Sequence, residues 1–269
     1  MQHDITLGFY GFGNMGQAIA SGLAESGAVP GENLNAFDLD SAKSAGIEAL
    51  GGKFINNPQE LAETCNTLIF ATKPQDMNGA LDSIKSSFSL DTLAISIAAG
   101  LSISFFQENL GSQARVIRVM PNTPALSSAG AAGIALSENC TDLDKTRAMT
   151  IFGAVGNAVV VDENQMDAVT ALSGSGPAYY FYFVECMVDA GVKLGLDESQ
   201  ATELAVQTLY GAGKLLKESG ETASTLRERV TSKGGTTHAA LESFRNEGLG
   251  ALVNNALLAA ADRSKELGR

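Results

Sequence analysis

The fold of this 269-residue chain is set by one short stretch, Gly11-Phe12-Gly13-Asn14-Met15-Gly16. It follows an apolar run at residues 5–10 with the pattern of a strand, and it precedes a helical pattern at residues 15–26. A G-x-G-x-x-G sequence between a strand and a helix is typical of dinucleotide-binding turns. Gly11 permits the tight turn, Gly13 lets a pyrophosphate approach the backbone, and Gly16 allows close helix–strand packing.

The alternation of short apolar runs and helical patterns continues over about 160 residues, as expected for βαβ units. The predicted strands are residues 5–10, 34–37, 67–71, 93–97 and 115–120, and the runs at 131–136 and 158–161 extend the sheet. The predicted helices between them are residues 15–26, 41–50, 59–64, 75–87 and 142–152. After Asp162 the strand-like runs stop, and helical patterns follow at residues 177–194, 197–219, 222–230, 236–245 and 247–267. We therefore predict an α/β fold in which a Rossmann-type, doubly wound parallel sheet (residues 1–162) is followed by an all-helical domain (residues 163–269).

The composition argues against several classes of partner. The net charge of −12, from 18 basic and 30 acidic residues, disfavours binding to nucleic acid or to an anionic membrane. The three cysteines, Cys65, Cys140 and Cys186, are too far apart to suggest a disulfide framework or a zinc site. With no visible targeting or membrane-spanning segment, we expect a cytoplasmic protein that binds small molecules and has no metal centre.

Two residues at strand ends are candidates for contacts with a dinucleotide. Asp38 ends the second strand, 22 positions after Gly16, where an acid commonly bonds the ribose hydroxyls of NAD. The alternative is that Asp38 caps the helix near Ser41. Lys73 follows the strand at 67–71, where it would meet the ribose or the nicotinamide, unless it is only a solvated turn residue.

Two further stretches suit an anionic substrate. Gly234-Gly235-Thr236 leads into a helix, so its unpaired N–H groups and positive dipole end suit a carboxylate, although a threonine there can also be a simple N-cap. Asn122, between two prolines in Met120-Pro121-Asn122-Thr123-Pro124, offers amide donors and an acceptor. The alternative for this second stretch is a rigid connector without ligand contact.

Five stretches, in order, resemble the pyrroline-5-carboxylate reductase family over nearly the whole chain. They are Gly8 to Gly16, Ala71 to Gln75, Met120 to Pro124, Ser173-Gly174-Ser175-Gly176-Pro177-Ala178-Tyr179 and Val230 to Glu242. The resemblance implies a helical domain that dimerises and binds substrate, and often a decamer assembled from dimers. By similarity, the cofactor contacts fall on Tyr10, Gly11, Phe12, Gly13, Asn14, Met15, Ala71, Thr72, Lys73, Pro74 and Ala99, with Asn57 as a further carry-over.

The resemblance also implies a reaction, the reduction of the cyclic imine 1-pyrroline-5-carboxylate to L-proline by NADPH or NADH. Gly234, Gly235 and Thr236 would then hold the substrate carboxylate with help from Ser232. Thr237, which matches the family's threonine, would bond the imine nitrogen. Since a threonine hydroxyl is a poor acid at neutral pH, it would orient a protonated imine or relay a proton from water.

One departure from the family and three other readings stay open. Many bacterial relatives have an Asn-Arg pair where this chain has Phe37-Asp38-Leu39-Asp40, so the nucleotide preference is undecided. A β-hydroxyacid-type dehydrogenase would need a catalytic lysine, but Lys193 and Lys214 lack that family's surrounding motif. A flavin-analogue:NADP oxidoreductase shares the opening motif but would lack the helical half. A non-catalytic NAD(P) sensor would have lost the corner at residues 234–237, which is intact.

Overall fold

A computed structural model describes residues 5–268, which form two compact units. The first unit extends to Ser175 and includes the C-terminal stretch from Ala259, and the second is Gly176–Leu258. The first unit continues past the last strand because the turns that follow pack on the sheet. Met166 is buried in the core, and a Cβ on Gly174 would lie 2.6 Å from the Met120 methyl carbon.

The first unit is built on one eight-stranded sheet in the order β3-β2-β1-β4-β5-β6-β7-β8. The strands are β1 (Leu7–Tyr10), β2 (Leu34–Phe37), β3 (Lys53–Phe54), β4 (Thr67–Phe70), β5 (Leu93–Ser96), β6 (Arg115–Met120), β7 (Gly130–Leu136) and β8 (Gly156–Val160). All neighbours are parallel except β6 and β7. The order 3-2-1-4-5-6 is that of the Rossmann fold, and it reverses direction between β1 and β4. The predicted doubly wound sheet is confirmed.

The strands nearest the reversal are wholly buried because helices cover both faces of the sheet. Every residue of β1, β2, β4 and β5 is buried, as expected for parallel strands with continuous apolar sequences. One core cluster contains Phe9 and Phe12, and the other contains Tyr10 and Phe70. Consecutive residues of β1 thus contribute to different cores, which follows from the twofold alternation of a strand.

The helices of the first unit agree with the sequence pattern in most places. They are α1 (Asn14–Ser26), α2 (Ser44–Glu48), α3 (Pro58–Thr64), α4 (Met77–Ile84), α5 (Ile103–Leu110), α6 (Asp142–Gly153) and α7 (Met166–Val169). The predicted helices at 41–50 and 75–87 both begin with a 3-10 turn, Ser41–Lys43 and Pro74–Asp76. Strand β3 and helix α5 were not predicted, and the two residues of β3 are too few to show an alternation.

The second unit is helical, as predicted. It contains α8 (Gly176–Lys193), α9 (Glu198–Ser219), α10 (Ala223–Arg229) and α11 (Thr236–Asn246), and α12 (Leu249–Leu267) continues into the first unit. Within residues 176–258, all described, only Ala201 is a buried apolar residue. Large apolar side chains such as Phe181, Tyr182 and Tyr210 are more than half exposed. Exposed apolar surface on this scale is typical of a protein–protein interface.

Candidate functional site

The glycine turn after β1 meets the requirements of the fold at two positions and leaves space at a third. Gly11 has φ +90°, and a Cβ there would lie 3.0 Å from the Ala71 backbone. A Cβ on Gly16 would lie 3.1 Å from the Gly11 carbonyl oxygen. A Cβ on Gly13 would meet no protein atom within 4 Å. The packing of the chain therefore does not require a glycine at position 13, and this side of the turn is open.

The amino end of α1 is free to bind an anion. Gly13 is its N-cap, and no side chain caps the helix. The turn is held in place because Gln17 Nε2 donates to the Phe12 carbonyl at 2.9 Å. Uncapped N–H groups and the positive end of the helix dipole suit a phosphate. The turn thus fits the pyrophosphate of a dinucleotide.

A cleft of about 1080 Å³ lies beside this turn, at the carboxyl ends of β1, β2 and β4. The predicted residues that line it are Tyr10, Gly11, Gly13, Asp38, Ala71, Thr72 and Lys73. The lining residues that sequence reasoning missed are Phe37, Leu39, Ser41, Phe54, Asn56, Pro58, Gln75, Asp76, Gly79, Ala80 and Ser83. The missed residues lie at the ends of strands, in the loops that follow them and on α4. Only the strand order brings these segments together.

The other predicted cofactor residues do not line the cleft: Phe12, Asn14, Met15, Asn57, Pro74 and Ala99. The Phe12 ring is buried 5.6 Å from the Phe9 ring, centroid to centroid, so only its backbone belongs to the turn. Asn14 and Met15 start α1, and their position beside Gly13 leaves their backbone N–H groups near the glycine turn. Contacts from all six residues to a nucleotide stay predictions.

Two of these six residues, Asn57 and Pro74, have local structural roles. Asn57 caps α3, since its Oδ1 accepts from the Gln59 N–H at 2.9 Å, and its neighbour Asn56 lines the cleft. Pro74 begins the 3-10 turn that follows Lys73. Ala99 is half-buried in the loop after β5.

Tyr10 forms part of the cleft wall. Its hydroxyl lies 2.8 Å from Ser83 Oγ, and its ring packs edge-on against Phe37 at 5.0 Å. Burial raises the pKa of the Tyr10 phenol above its ordinary value, and the hydrogen bond to Ser83 offsets this only in part. The phenol is therefore neutral near pH 7, and it joins β1 to α4.

Asp38 connects the end of β2 to the glycine turn. One carboxylate oxygen accepts from the Phe12 N–H at 2.6 Å, and the other accepts from the Asp40 N–H at 2.9 Å. The Gly11 N–H donates to the Phe37 carbonyl at 2.8 Å beside them. Asp40, not Asp38, caps the turn at Ser41, because its Oδ1 accepts from the Ala42 N–H. The capping alternative for Asp38 was therefore wrong.

Asn122 uses its amide to join distant parts of the first unit. Its Nδ2 donates to the Ser173 carbonyl at 3.0 Å, and its Oδ1 accepts from the Ala131 N–H at 2.8 Å. The side chain is buried between β7 and the turn Thr170–Gly174. One amide N–H is left over for another partner, so a substrate contact stays a prediction.

The predicted substrate corner of the second unit has the expected backbone shape. Gly234 has φ +75°, and Gly235 is the extended N-cap of α11 without any side-chain cap. The Gly235 N–H donates to the Ser232 carbonyl at 3.0 Å, which closes the turn. Thr236 and Thr237 occupy the first turn of the helix, with Thr237 half-buried. The corner can accept an anion at its N–H groups and place one hydroxyl beside it.

The described residues contain neither a candidate metal site nor a candidate membrane span. Residues 5–268 contain no group of three or more His, Cys, Asp or Glu side chains placed to hold a metal ion. No helix in this part of the chain has both the length and the apolarity to span a membrane.

The first unit is a Rossmann sheet with an open glycine turn and an adjoining cleft, and the second is a helical unit of apolar surface. These features indicate an NAD(P)-dependent oxidoreductase. Residues 6–100 match the family model described as NADP oxidoreductase coenzyme F420-dependent. Residues 163–267 match the model described as pyrroline-5-carboxylate reductase dimerisation.

Comparisons over the whole chain identify the family. The chain is 41% identical over 264 residues to the pyrroline-5-carboxylate reductase of Methanosarcina acetivorans, covering 98% of each protein. The solved pyrroline-5-carboxylate reductase of Coxiella burnetii is 33% identical with a TM-score of 0.94, over 98% of this chain and 99% of that one. The Plasmodium falciparum pyrroline carboxylate reductase, solved with NADP bound, is 34% identical with a TM-score of 0.88 over all of both chains. This chain belongs to the pyrroline-5-carboxylate reductase family.

Proposed function

We propose that this chain reduces 1-pyrroline-5-carboxylate to L-proline with NADH or NADPH, the last step of proline biosynthesis, in the cytoplasm. The observation that carries the proposal is the full-length relationship to reductases of this substrate. Two features support it further. The glycine turn is open to a pyrophosphate, and the corner at residues 234–237 has no side-chain cap.

The first unit would bind and orient the nucleotide, which supplies the hydride when bound. The N–H groups at Gly13, Asn14 and Met15 would hold the pyrophosphate. The carboxylate of Asp38 would accept from the adenosine ribose. Thr72 and Lys73 would meet the other half of the nucleotide at the end of β4. Asn56, which lines the cleft, would contact the nucleotide beside the predicted Asn57.

The second unit would bind and orient the substrate. The corner at Gly234, Gly235 and Thr236 would hold its carboxylate through the Gly234 and Thr236 N–H groups, while the Gly235 N–H closes the turn on the Ser232 carbonyl and the Ser232 hydroxyl lies alongside. The Thr237 hydroxyl would bond the imine nitrogen and so fix the orientation of the imine carbon. Orientation of two bound reactants at near-attack distance contributes about 7 kcal/mol or more to lowering a barrier. Asn122 would add its remaining amide N–H or would only support the turn at Ser173.

The helical unit would form a homodimer. Its match to the dimerisation model and its exposed apolar side chains support this assembly. Further association of dimers into a decamer is an extension of the same proposal.

The test is oxidation of NADH and NADPH, followed by nicotinamide absorbance, with and without racemic 1-pyrroline-5-carboxylate. We expect turnover that depends on the substrate. Thr237→Val should lower kcat by about tenfold to a few hundredfold, since one polar transition-state contact is lost, and leave the nucleotide Kd unchanged. Thr237→Ser, which keeps the hydroxyl, is the matched control and should restore most of the rate.

Two outcomes would contradict different parts of the proposal. Full turnover by Thr237→Val would remove Thr237 from the site while leaving the reaction intact. Nucleotide binding by the wild-type chain without any turnover would reject the reaction and favour a non-catalytic NAD(P) sensor.

A further inference from the structure

The cleft at the end of β2 presents a fixed negative charge where the adenosine ribose of a dinucleotide would lie. We propose that this chain uses NADH in preference to NADPH, and that Asp38 determines this specificity. The inference rests on the proposed function only in taking this cleft as the nucleotide site.

The Asp38 carboxylate is held in place from two sides. It accepts from the Phe12 N–H at 2.6 Å and from the Asp40 N–H at 2.9 Å, one bond to each oxygen. Two short bonds to different loops prevent the carboxylate from rotating away. A carboxylate has about four acceptor sites, so two remain for the hydroxyl donors of a ribose. A 2′-phosphate can donate little there and brings about two negative charges beside a fixed one.

Two backbone N–H donors that a phosphate could use at this end are already occupied. The Phe12 N–H is taken by Asp38, and the Ala42 N–H at the start of the next turn is taken by Asp40 Oδ1 at 3.1 Å. Leu39 and Ser41 also line this end, and neither carries a charge. Leu39 is 92% exposed, so its side chain is not packed against the protein and an arginine would fit at this position.

No cation compensates for Asp38 at this end of the cleft. Residues 34–58, all described, contain no arginine, and their lysines, Lys43 and Lys53, do not line the cleft. Among the described lining residues the one cation is Lys73, at the end of β4. Strand β1 lies between β2 and β4, so the two strand ends are about 10 Å apart. That distance is about one Debye length at ordinary ionic strength. Lys73 would therefore attract a phosphate beside Asp38 only weakly.

The experiment compares the Kd of NADH and of NADPH by titration calorimetry on the full chain, with kcat/KM for each as a second readout. We expect NADH to bind about 10- to 100-fold more tightly. Asp38→Asn keeps an acceptor and removes the charge. It should lower the ratio of the NADPH Kd to the NADH Kd about tenfold, mainly by tightening the binding of NADPH. Glu32→Gln removes an exposed acid from the loop before β2 and should leave the ratio unchanged.

A second pair of variants keeps the test valid if Asp38→Asn fails to fold. Leu39→Arg adds a cation for the 2′-phosphate at an exposed position, and Leu39→Gln is its uncharged control. The arginine variant should shift the ratio toward NADPH by about tenfold relative to the glutamine variant.

Two results would overturn this inference, and a third would reject the proposed reaction alone. Equal or tighter binding of NADPH by the wild-type chain would overturn the inference. So would an unchanged ratio in Leu39→Arg relative to Leu39→Gln. Tighter binding of NADH without any turnover, together with a lowered ratio in Asp38→Asn, would uphold Asp38 as the specificity residue and reject the proposed reaction alone.

Discussion

Gly13 and Gly11 should respond in opposite ways to a single added methyl group. Gly13 has φ −77°, which any residue adopts, and its Cβ would meet no protein atom within 4 Å. Gly13→Ala should therefore change the free energy of unfolding by less than about 1 kcal/mol, because the lost freedom of the unfolded chain and the loss of a glycine N-cap have opposite effects. The methyl group would occupy the space through which a pyrophosphate reaches the first turn of α1. We expect the Kd of NADH to rise at least about tenfold, which is about 1.4 kcal/mol.

Gly11→Ala should instead destabilise the chain. Its φ of +90° costs a residue with a side chain about 1–3 kcal/mol. The new Cβ would also lie 3.0 Å from the Ala71 carbonyl group and from Thr72 Cγ2, and overpacking of this kind costs about 1–3 kcal/mol more. The free energy of unfolding should fall by about 2–6 kcal/mol, the sum of these two costs.

The assay measures both quantities on the same samples. Urea unfolding gives the free energy of unfolding, and calorimetric titration with NADH gives the Kd. We expect Gly13→Ala to bind NADH more weakly with little change in stability, and Gly11→Ala to be less stable. If Gly13→Ala lost stability and bound NADH normally, the turn would be a structural feature of the sheet and not a nucleotide cradle.

Three further predictions concern buried groups of the first unit. Asp144→Ala should cost about 3 kcal/mol in urea unfolding, because the fully buried carboxylate pairs with Arg115 at 3.1 Å; unchanged stability would contradict this. Asn122→Ala should cost about 1–3 kcal/mol by leaving the Ala131 N–H unpaired, and a stable but inactive variant would instead make Asn122 a substrate contact. Burial raises the pKa of the Cys65 thiol from 9.0 to about 12, so iodoacetamide should label it at about pH 8 only after unfolding. Its contribution to stability should be complete below about pH 9 and decline toward about pH 12, because the unfolded chain then releases a proton that the folded chain keeps.

The local patterns of the sequence were sufficient for the architecture. The runs at β1, β4 and β5 are almost continuously apolar because both faces of a parallel sheet are buried, and that pattern is visible without coordinates. The glycine turn needs only its neighbours to be recognised, since turn, strand and helix are contiguous. The long helices of the second unit were also visible, because periodicity is clearest in long elements.

Short elements and edge positions were not visible. Strand β3 is two residues long, and it exists because its backbone pairs with Asn35 and Ala36 of the neighbouring strand. Helix α5 has eight residues, and its start depends on the Ser102 side chain, which accepts from the Phe105 N–H. Such elements are stabilised by partners outside themselves, so their own residues carry a weak signal.

The sequence alone determined that this chain has a Rossmann domain with a glycine-rich turn after its first strand, a helical second domain and the motifs of one family. The tertiary structure decided which side chains meet around the turn. It bonded Asp38 to the Phe12 N–H, 26 residues earlier, and it committed the Asn122 amide to Ser173 and Ala131. It also brought Asn56 and α4 into the cleft wall. The physical reason is that hydrogen bonds between distant segments depend on strand order and register, whereas periodicity and glycine spacing report only on neighbours along the chain.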